Sequence, residues 1–358
     1  MQHLSRRRLG TLAATALVLP ALARSAYARV GPESFAPLVK RVLPAVVNIG
    51  VTETMAGNDP LAQLPPEIQR RLRDRFRRQR QQVQGAGSGF IIDPAGFIVT
   101  NNHVAGAADT ILVSLSDGTE LPAKLVGTDE LTDIAVIKVN AGHPLPFVAW
   151  GDSRAMEVGD WVVAAGNPFG LCGSITAGIV SARGRDIGAS AFDDYLQIDA
   201  PINPGNSGGP VFNADGQVVG VNTAIVSPNG GGSVGIGFAV PSEVASKIAQ
   251  ELRERGRIER GWLGVSVQDL PPSEAGRKKM PGVAIAGLDR SGPAAHSGLR
   301  PGDVVLSVNG QPVDSSRGLI RAVAAIAPGG SVSLSVRRQG RDIEVPVTVG
   351  RRPANNPG

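Results

Sequence analysis

The chain has 358 residues, 42% of them hydrophobic and 19% charged, which is enough for two or three domains with a sizeable core. Its formal charge of +5 is uneven. Residues 1–28 hold four arginines and no acid, so the rest is at +1 and gives little reason to expect a nucleic-acid partner. The single cysteine, Cys172, excludes an intrachain disulfide, and its setting, GLCGS, is typical of a small buried residue.

The first 28 residues have the pattern of an export signal. The arginines in SRRRL resemble a twin-arginine signal and precede an apolar run over residues 9–23, and Ala-Tyr-Ala at residues 26–28 is a small-x-small cleavage site. An uncleaved membrane anchor is the alternative, but the run is short for a bilayer and contains Pro20. We expect cleavage after Ala28 and a periplasmic protein, and association with the membrane stays open.

A short helical pattern after Phe35 leads into a strand, AVVNIGV, and then into a basic segment at residues 58–84. This segment contains seven arginines, and Ile68, Leu72 and Phe76 recur at i, i+4 and i+8, which predicts one apolar stripe on a basic helix. We interpret it as an inserted surface loop with a helical turn. A helix that binds lipid or a partner is the alternative.

Short strands with turn signals between them fill residues 87–139 and again residues 161–240. The sequences DPAG and SDGT are typical of hairpin turns, and ILVSL and IAVIKV show the alternation of half-buried strands. Because almost no helix interrupts either set, the pattern predicts a mainly β fold in two similar halves. The candidate site segments fall near the join between the halves.

A helix and a third block complete the chain. Ser242 is expected to be the N-cap of a helix with the apolar stripe Val244, Ile248 and Leu252, and Gly256 is expected to end it. Residues 260–350 then contain short strands and one helical pattern at 316–327. The tail, residues 351–358, is expected to be disordered.

The segment PINPGNSGGPVF, residues 201–212, is the strongest candidate for chemistry. It places one hydroxyl, Ser207, among glycines and prolines. A serine nucleophile needs a base for its proton and donors for the oxyanion, and glycine allows a substrate carbonyl to approach backbone amides. The N–H groups of Gly205 and Ser207 would form such an oxyanion hole if both point into one hollow. A simple turn between strands is the alternative, and the motif alone does not decide.

Elimination points to His103 as the base. Of four histidines, His3 is in the export signal, His143 is in a loop-like setting and His296 is in the third block. His103 directly follows an apolar strand, and a strand end presents a side chain to a cleft.

An orienting carboxylate is also needed, since a buried carboxylate fixes the tautomer of the histidine and stabilises its charged form. Asp133 enters a strand of alternating apolar residues and is the preferred candidate. Asp129 and Asp152 are nearby competitors.

The order of these residues along the chain separates two kinds of hydrolase. GNSGG matches the G-x-S-x-G nucleophile elbow, but that fold requires serine, then acid, then histidine. Only His296 follows Ser207, and it lies in a separate block. The order His103, Asp133, Ser207 instead suits a chymotrypsin-like protease.

Five segments, TNNHV, LTDIAVIKV, GNPFG, DAPINPGNSGGPVFN and GIGFAVPS, resemble the signature segments of the HtrA/Deg family of serine proteases. The third block is similar to the PDZ domain of that family. The resemblance implies a chymotrypsin-like double β-barrel protease domain at residues 29–257, with the inserted loop at 58–84, and one PDZ domain at 258–350. It further implies that His103 is the general base, Asp133 orients it and Ser207 attacks, with an oxyanion hole formed by the backbone of residues 205–207 (Gly205, Asn206 and Ser207).

The same resemblance suggests two binding sites. Ile202, Ile225 and Ile236 match the lining of the primary specificity pocket, which would be narrow, uncharged and suited to Val or Ala. Trp262, Leu263, Gly264 and Val265 match the PDZ carboxylate-binding loop, where a C-terminal peptide adds as a strand, with the helix at residues 316–327 as the other wall.

The function implied is an ATP-independent serine endopeptidase that degrades unfolded or damaged envelope proteins under stress and is regulated by the PDZ domain. The alternative is a PDZ-bearing chaperone or stress sensor with a largely latent protease. We expect a homotrimer, no metal and no cofactor. Gly230-x-Gly232-x-x-Gly235 matches a dinucleotide fingerprint, but a strand follows it rather than a helix. A sensitivity of Cys172 to oxidation is a further hypothesis.

Overall fold

A computed structural model describes residues 31–54, 82–166, 173–227, 232–270 and 282–352. Helix α1 (Ala36–Val42) and a 3₁₀ turn (Leu43–Ala45) lead into the first barrel. Its strands are β1 (Val46–Thr54), β2 (Gln82–Asp93), β3 (Phe97–Thr100), β4 (Thr110–Ser114), β5 (Glu120–Asp129) and β6 (Ile134–Val139). They close in the order β1-β2-β3-β6-β5-β4.

The two predicted hairpin turns are confirmed, and they set the register of this barrel. At the β2–β3 turn the Asp93 carboxylate accepts the Ala95 N–H at 2.8 Å, a bond that lowers the pKa of Asp93. At the β4–β5 turn Gly118 adopts φ of +86°, a conformation that glycine reaches without steric cost. The register ends β3 at Thr100, directly before the segment that carries His103.

The second barrel repeats the architecture. Its strands are β7 (Trp161–Gly166), β8 (Ser174–Arg185), β9 (Tyr195–Ile198), β10 (Pro210–Phe212), β11 (Val218–Ile225) and β12 (Gly237–Pro241), closed in the order β10-β11-β12-β9-β8-β7. Inward-facing aliphatic side chains fill its core, among them Val162, Val180, Leu196, Ile198, Val211 and Val219. Two closed barrels confirm the predicted chymotrypsin-like fold.

Helix α3 (Ser242–Arg255) follows the second barrel and buries Ala245, Ala249 and Leu252. Its predicted end at Gly256 is confirmed, because Gly256 is left-handed and donates its N–H to Leu252 O at 2.8 Å. The predicted N-cap is wrong. Pro241 occupies the cap position, and the Ser242 hydroxyl instead donates to Gly151 O at 2.7 Å, so a tertiary contact has taken the group that would have capped the helix.

The third block has the topology of a PDZ domain. Strands β14 (Val265–Asp269), β15 (Val283–Leu288), β16 (Val304–Val308), β18 (Ser331–Arg338) and β19 (Arg341–Thr348) form a sheet in that order, and β17 (Gln311–Pro312) pairs with β16. Strands β13 (Gly261–Trp262) and β20 (Gly350–Arg351) form a separate pair. Helix α4 (Ser316–Ala324) begins as predicted but ends three residues early, where the chain turns towards β18.

Several expectations lie outside the described residues. They concern the export signal, the stripe of Ile68, Leu72 and Phe76, the surroundings of Cys172 and the end of the chain. Strand β2 begins at Gln82, within the expected loop at residues 58–84, and β20 includes Arg351. In the part of the chain that is described, no helix is both long enough and apolar enough to cross a bilayer.

Candidate active site

His103 and Asp133 form a close pair at one edge of the first barrel. His103 lies on a short helical turn, α2 (Asn102–Ala105), and Asp133 lies immediately before β6. Asp133 Oδ2 is 2.7 Å from His103 Nδ1, and Asp133 Oδ1 accepts the His103 backbone N–H at 2.9 Å. A carboxylate in this position favours the Nδ1–H tautomer, which leaves Nε2 free to accept a proton.

The competing aspartates have other partners. Asp129 is buried and receives the Arg260 guanidinium, with one of the two contacts at 2.7 Å, as well as the Thr132 hydroxyl. Asp152 accepts the Arg154 N–H at 2.9 Å at the start of a 3₁₀ turn. The structure therefore brings only Asp133, of these three, to the histidine.

The other described histidines lie away from this pair. His143 is exposed and contacts the carbonyl of Pro144, and His296 ends a 3₁₀ turn in the PDZ block. Within the described ranges, no group of three or more His, Cys, Asp or Glu side chains is arranged to hold a metal ion.

The loop that carries Ser207 is bound directly to the first barrel. Ser88 on β2 donates its N–H to Ser207 O at 2.8 Å and its hydroxyl to Gly205 O at 2.6 Å. Gly208 lies so close to Ser88 O and Thr100 Oγ1 that a Cβ atom there would clash with both. Hydrogen bonds and one glycine thus place Ser207 beside the end of β3, which lies three residues before His103 in the chain.

The backbone N–H groups of the serine loop differ in whether they are already hydrogen-bonded. Among the described residues, the N–H groups of Gly205 and Ser207 have no acceptor, and Ser207 Oγ makes no hydrogen bond to His103. The Asn206 N–H, by contrast, donates to Asn203 O at 3.0 Å. Of the three residues expected in the oxyanion hole, Asn206 is therefore the one whose N–H is already used within the loop.

The three isoleucines expected in the specificity pocket all lie on the second barrel. Ile202 is buried in the core cluster of that barrel, and Ile225 packs against the same cluster. Ile236 is half-buried, and its carbonyl accepts the Val226 N–H at 3.1 Å, which sets it beside the end of β11. The surroundings of Ile202 and Ile225 are aliphatic.

The expected PDZ loop has its carbonyl groups turned inward. Leu263 O accepts the Ala294 N–H at 2.9 Å and Gly264 O accepts the Asp289 N–H at 2.8 Å, and the Leu263 side chain is in the PDZ core. Within the described chain, the N–H groups of Leu263 and Gly264 have no acceptor. Trp262 precedes this turn on β13, and Val265 begins β14, which is an edge strand of its sheet.

The structure shows contacts between the PDZ block and the second barrel that the sequence did not predict. Helix α4 directs Arg321 Nε to Ala191 O at 2.7 Å, and Arg317 pairs with Asp186. A backbone N–H from Gly188, reinforced by Arg317, lowers the pKa of Asp186. These pairs join residues about 130 positions apart, so no local pattern marks them.

Tyr195 follows the loop that these arginines reach. Its ring meets Phe238 edge to face, with centroids 6.1 Å apart. Burial, aided by the charges of Asp193 and Asp133, raises the pKa of Tyr195 to about 12. The phenol therefore stays neutral at physiological pH.

Comparison with known proteins gives the same architecture. Residues 87–221 match the trypsin-like peptidase domain and residues 261–349 the PDZ domain. A probable periplasmic serine endoprotease, DegP-like, from Brucella suis biovar 1 is 44% identical over 354 residues, covering 89% of this chain and 69% of the relative. The protein of the same name from Halomonas elongata is 46% identical, covering 94% of this chain and 74% of its own length.

Solved structures agree. The HtrA-type protease AlgW with decapeptide has a TM-score of 0.76 and 40% identity, covering 89% of this chain and 99% of that one. The serine endoprotease from Yersinia pestis has a TM-score of 0.71 and 33% identity, covering 90% and 99%. The chain belongs to the HtrA family of DegP-like periplasmic serine endoproteases.

Proposed function

We propose that Ser207 is the nucleophile of this endoprotease, that His103 is its general base and that Asp133 orients His103. One observation carries the proposal: a hydrogen-bonded His103–Asp133 pair lies beside a serine loop whose two flanking N–H groups, on Gly205 and Ser207, are free among the described residues. Acyl transfer by serine needs these three elements together.

The steps follow from the geometry. Ser207 Oγ attacks the scissile carbonyl, and its proton passes to His103 Nε2. The Gly205 and Ser207 N–H groups bind the oxyanion of the tetrahedral intermediate, and His103 then gives the proton to the leaving amine. Water hydrolyses the acyl-enzyme by the same route. The missing Ser207–His103 hydrogen bond is expected to form when a substrate occupies the cleft, because such bonds are often long in free enzymes.

The substrates are proposed to be unfolded or damaged envelope proteins. A chain must be extended to lie in the cleft, and a folded protein rarely offers such a segment. The aliphatic surroundings of Ile202 and Ile225, together with the Ile236 side chain, favour cleavage after small aliphatic residues such as Val or Ala. No step requires ATP.

The PDZ domain is proposed to bind peptides by their C-terminal carboxylate. The free N–H groups of Leu263 and Gly264 suit an anion, and the edge of β14 suits an added strand. Helix α4 is proposed as the other wall of this groove. Because α4 also contacts the loop before Tyr195, a bound peptide would be sensed by the second barrel.

Two further proposals concern the state of the mature protein. We propose that the export signal is cleaved after Ala28, which N-terminal sequencing of periplasmic protein would test. We also propose that three copies assemble through their protease domains, which light scattering of the purified protein would test. A monomer at micromolar concentration would contradict the trimer.

Casein cleavage by the wild-type chain and by Ser207→Ala, with a serine-directed phosphonate as probe, tests the proposed function. Cleavage and labelling should both vanish in the variant. Labelling of the wild type without cleavage would indicate a latent enzyme, and a peptide with a free C-terminal carboxylate, but not its amide, should then restore cleavage. If neither protein is labelled and both suppress aggregation equally, the chaperone alternative replaces the protease.

A further inference from the structure

Asn101 lies between the two barrels, two residues before His103, and its side chain is fully buried. Its Nδ2 donates to Asp133 O at 2.8 Å and to Thr223 Oγ1 at 3.1 Å. An asparagine amide has two N–H donors, so both are used. Asn101 Oδ1 is buried and has no partner among the described residues. The hydrogen bonds that Asn101 makes are therefore those of its NH₂ group, and its amide oxygen makes none among the described residues.

The first of these bonds acts on the backbone of Asp133. Asp133 has φ of +55°, in the left-handed region that residues with a side chain rarely occupy. Its carbonyl receives two donors, Asn101 Nδ2 and the Asn102 N–H at 3.1 Å. In this conformation the Asp133 carboxylate faces both the backbone N–H and Nδ1 of His103. The two donors therefore fix the backbone of Asp133 in the conformation that directs its carboxylate at His103.

The second bond reaches the other barrel. Thr223 lies on β11 and donates its own hydroxyl hydrogen to Val221 O at 3.0 Å, which leaves the oxygen to accept from Asn101. The neighbouring residue, Asn222, accepts the Gly208 N–H at 2.8 Å and donates its N–H to Gly209 O at 2.9 Å. The strand that receives Asn101 thus also holds the two residues that follow Ser207.

We propose that Asn101 is a positioning residue for the reaction: it holds Asp133 in the conformation that orients His103 and keeps this pair in register with the Ser207 loop across the barrel interface. The proposal rests on the catalytic roles given above. It explains why an amide is present, because a carboxylate offers no donor and an aliphatic side chain would leave Asp133 O with one donor in a buried site.

The test compares wild type with Asn101→Leu, and Thr223→Val with Thr223→Ser. Valine has the shape of threonine without its hydroxyl, whereas serine keeps the acceptor, so the second pair isolates the bond to Asn101. For each protein, kcat and KM for a peptide substrate, the melting temperature and the downfield proton resonance of His103 Nδ1–H are measured.

Asn101→Leu should lower kcat by about tenfold or more with little change in KM, the loss expected for a mispositioned group. The His103 Nδ1–H resonance should shift or broaden. Thr223→Val should show a smaller loss of the same kind, and Thr223→Ser should restore it. If Asn101→Leu does not fold, the Thr223 pair still decides.

The proposal is overturned if the folded Asn101→Leu protein keeps the wild-type kcat and resonance, or if Thr223→Val and Thr223→Ser behave alike. A fall in melting temperature without a change in either readout would show a structural role alone. The resonance does not depend on cleavage. If Ser207→Ala still cleaves casein, the proposed function fails, yet the resonance still reports whether Asn101 positions His103 and Asp133.

Discussion

The two barrels contribute to the site in opposite ways. The first barrel supplies the His103–Asp133 pair with its hydrogen bonds already formed. The Asp133 carboxylate is bonded to His103 at two points, and the Asp133 carbonyl accepts two donors. The second barrel supplies the Ser207 loop, in which the carbonyl groups of Gly205 and Ser207 are engaged while their N–H groups are open among the described residues.

This difference follows from what each half must do. In the proposed mechanism the base must keep one tautomer and one orientation before the substrate arrives, so its partners are present in the free enzyme. The N–H donors of the oxyanion hole must stay unpaired until the oxyanion forms, so that their hydrogen bonds stabilise the transition state and not the free enzyme. Engaging the carbonyl side of the loop fixes its backbone without consuming the donors.

Asp133→Asn disrupts the His103–Asp133 pair and should have the largest effect on kcat. An asparagine amide can direct its NH₂ at Nδ1, which forces the tautomer that cannot accept the Ser207 proton at Nε2, and kcat should fall by about 10⁴-fold. Casein and peptide cleavage at neutral pH measure it. Asp152→Asn is the matched control, because Asp152 caps a 3₁₀ turn elsewhere and its loss should leave kcat unchanged. Near-wild-type cleavage by Asp133→Asn would show that the His103–Asp133 pair is not needed for cleavage.

Gly208→Ala disrupts the contact between the Ser207 loop and the first barrel. Its φ is +83°, and a Cβ atom would clash with Ser88 O and Thr100 Oγ1, so the Ser207 loop must shift away from His103. A displacement of about 1 Å costs about 100-fold in rate. Gly118→Ala is a close control: φ is +86° and no atom lies within 4 Å of its Cβ position. Equal phosphonate labelling rates in the two variants would mean that backbone strain, not this contact, matters.

Local chemistry explains which features the sequence predicts. The turn at Asp93–Gly96 and the helix end at Gly256 depend on residues within a few positions and are confirmed. The expected N-cap at Ser242 fails because its hydroxyl is bound by Gly151, 91 positions away. The two barrels and the approximate position of the site follow from strand patterns and motifs.

The finer geometry of the site depends on contacts that no window of sequence contains. Asp133 and Asp129 look alike in the sequence, and the ion pair that sets Asp129 apart comes from the Arg260 guanidinium, 131 positions away. The left-handed conformation of Asp133 and the role of Asn101 likewise require the fold. The Asn206 N–H is engaged only three residues away, within a tight turn that the glycine-rich motif did not resolve.

The PDZ domain differs from both barrels, since no proposed catalytic group comes from it. Asp303 is buried in that domain, and Arg338 contacts both of its carboxylate oxygens at 2.7 Å. Asp303→Asn should lower the stability of the PDZ domain at pH 7 by about 3 kcal/mol, because it leaves a partly buried guanidinium without its charge partner. Cleavage of a short peptide at a temperature where both proteins are folded should not change. Asp342→Asn, in an exposed pair with Arg337, is the control and should leave the stability almost unchanged, because an exposed ion pair contributes little.

The pH dependence distinguishes this ion pair from simple packing. The hydrogen bond from Arg338 outweighs burial and lowers the pKa of Asp303, so the folded domain favours the ionised form. The resulting stability is complete above the pKa of the unfolded chain, near 4, and is lost as the pH falls through the lower folded value. The amide that replaces the carboxylate in Asp303→Asn cannot titrate, so the difference between wild type and this variant in urea unfolding should be constant from pH 7 to about 5 and shrink below about 4. A difference that persists unchanged at low pH would assign the loss to packing rather than to the charge.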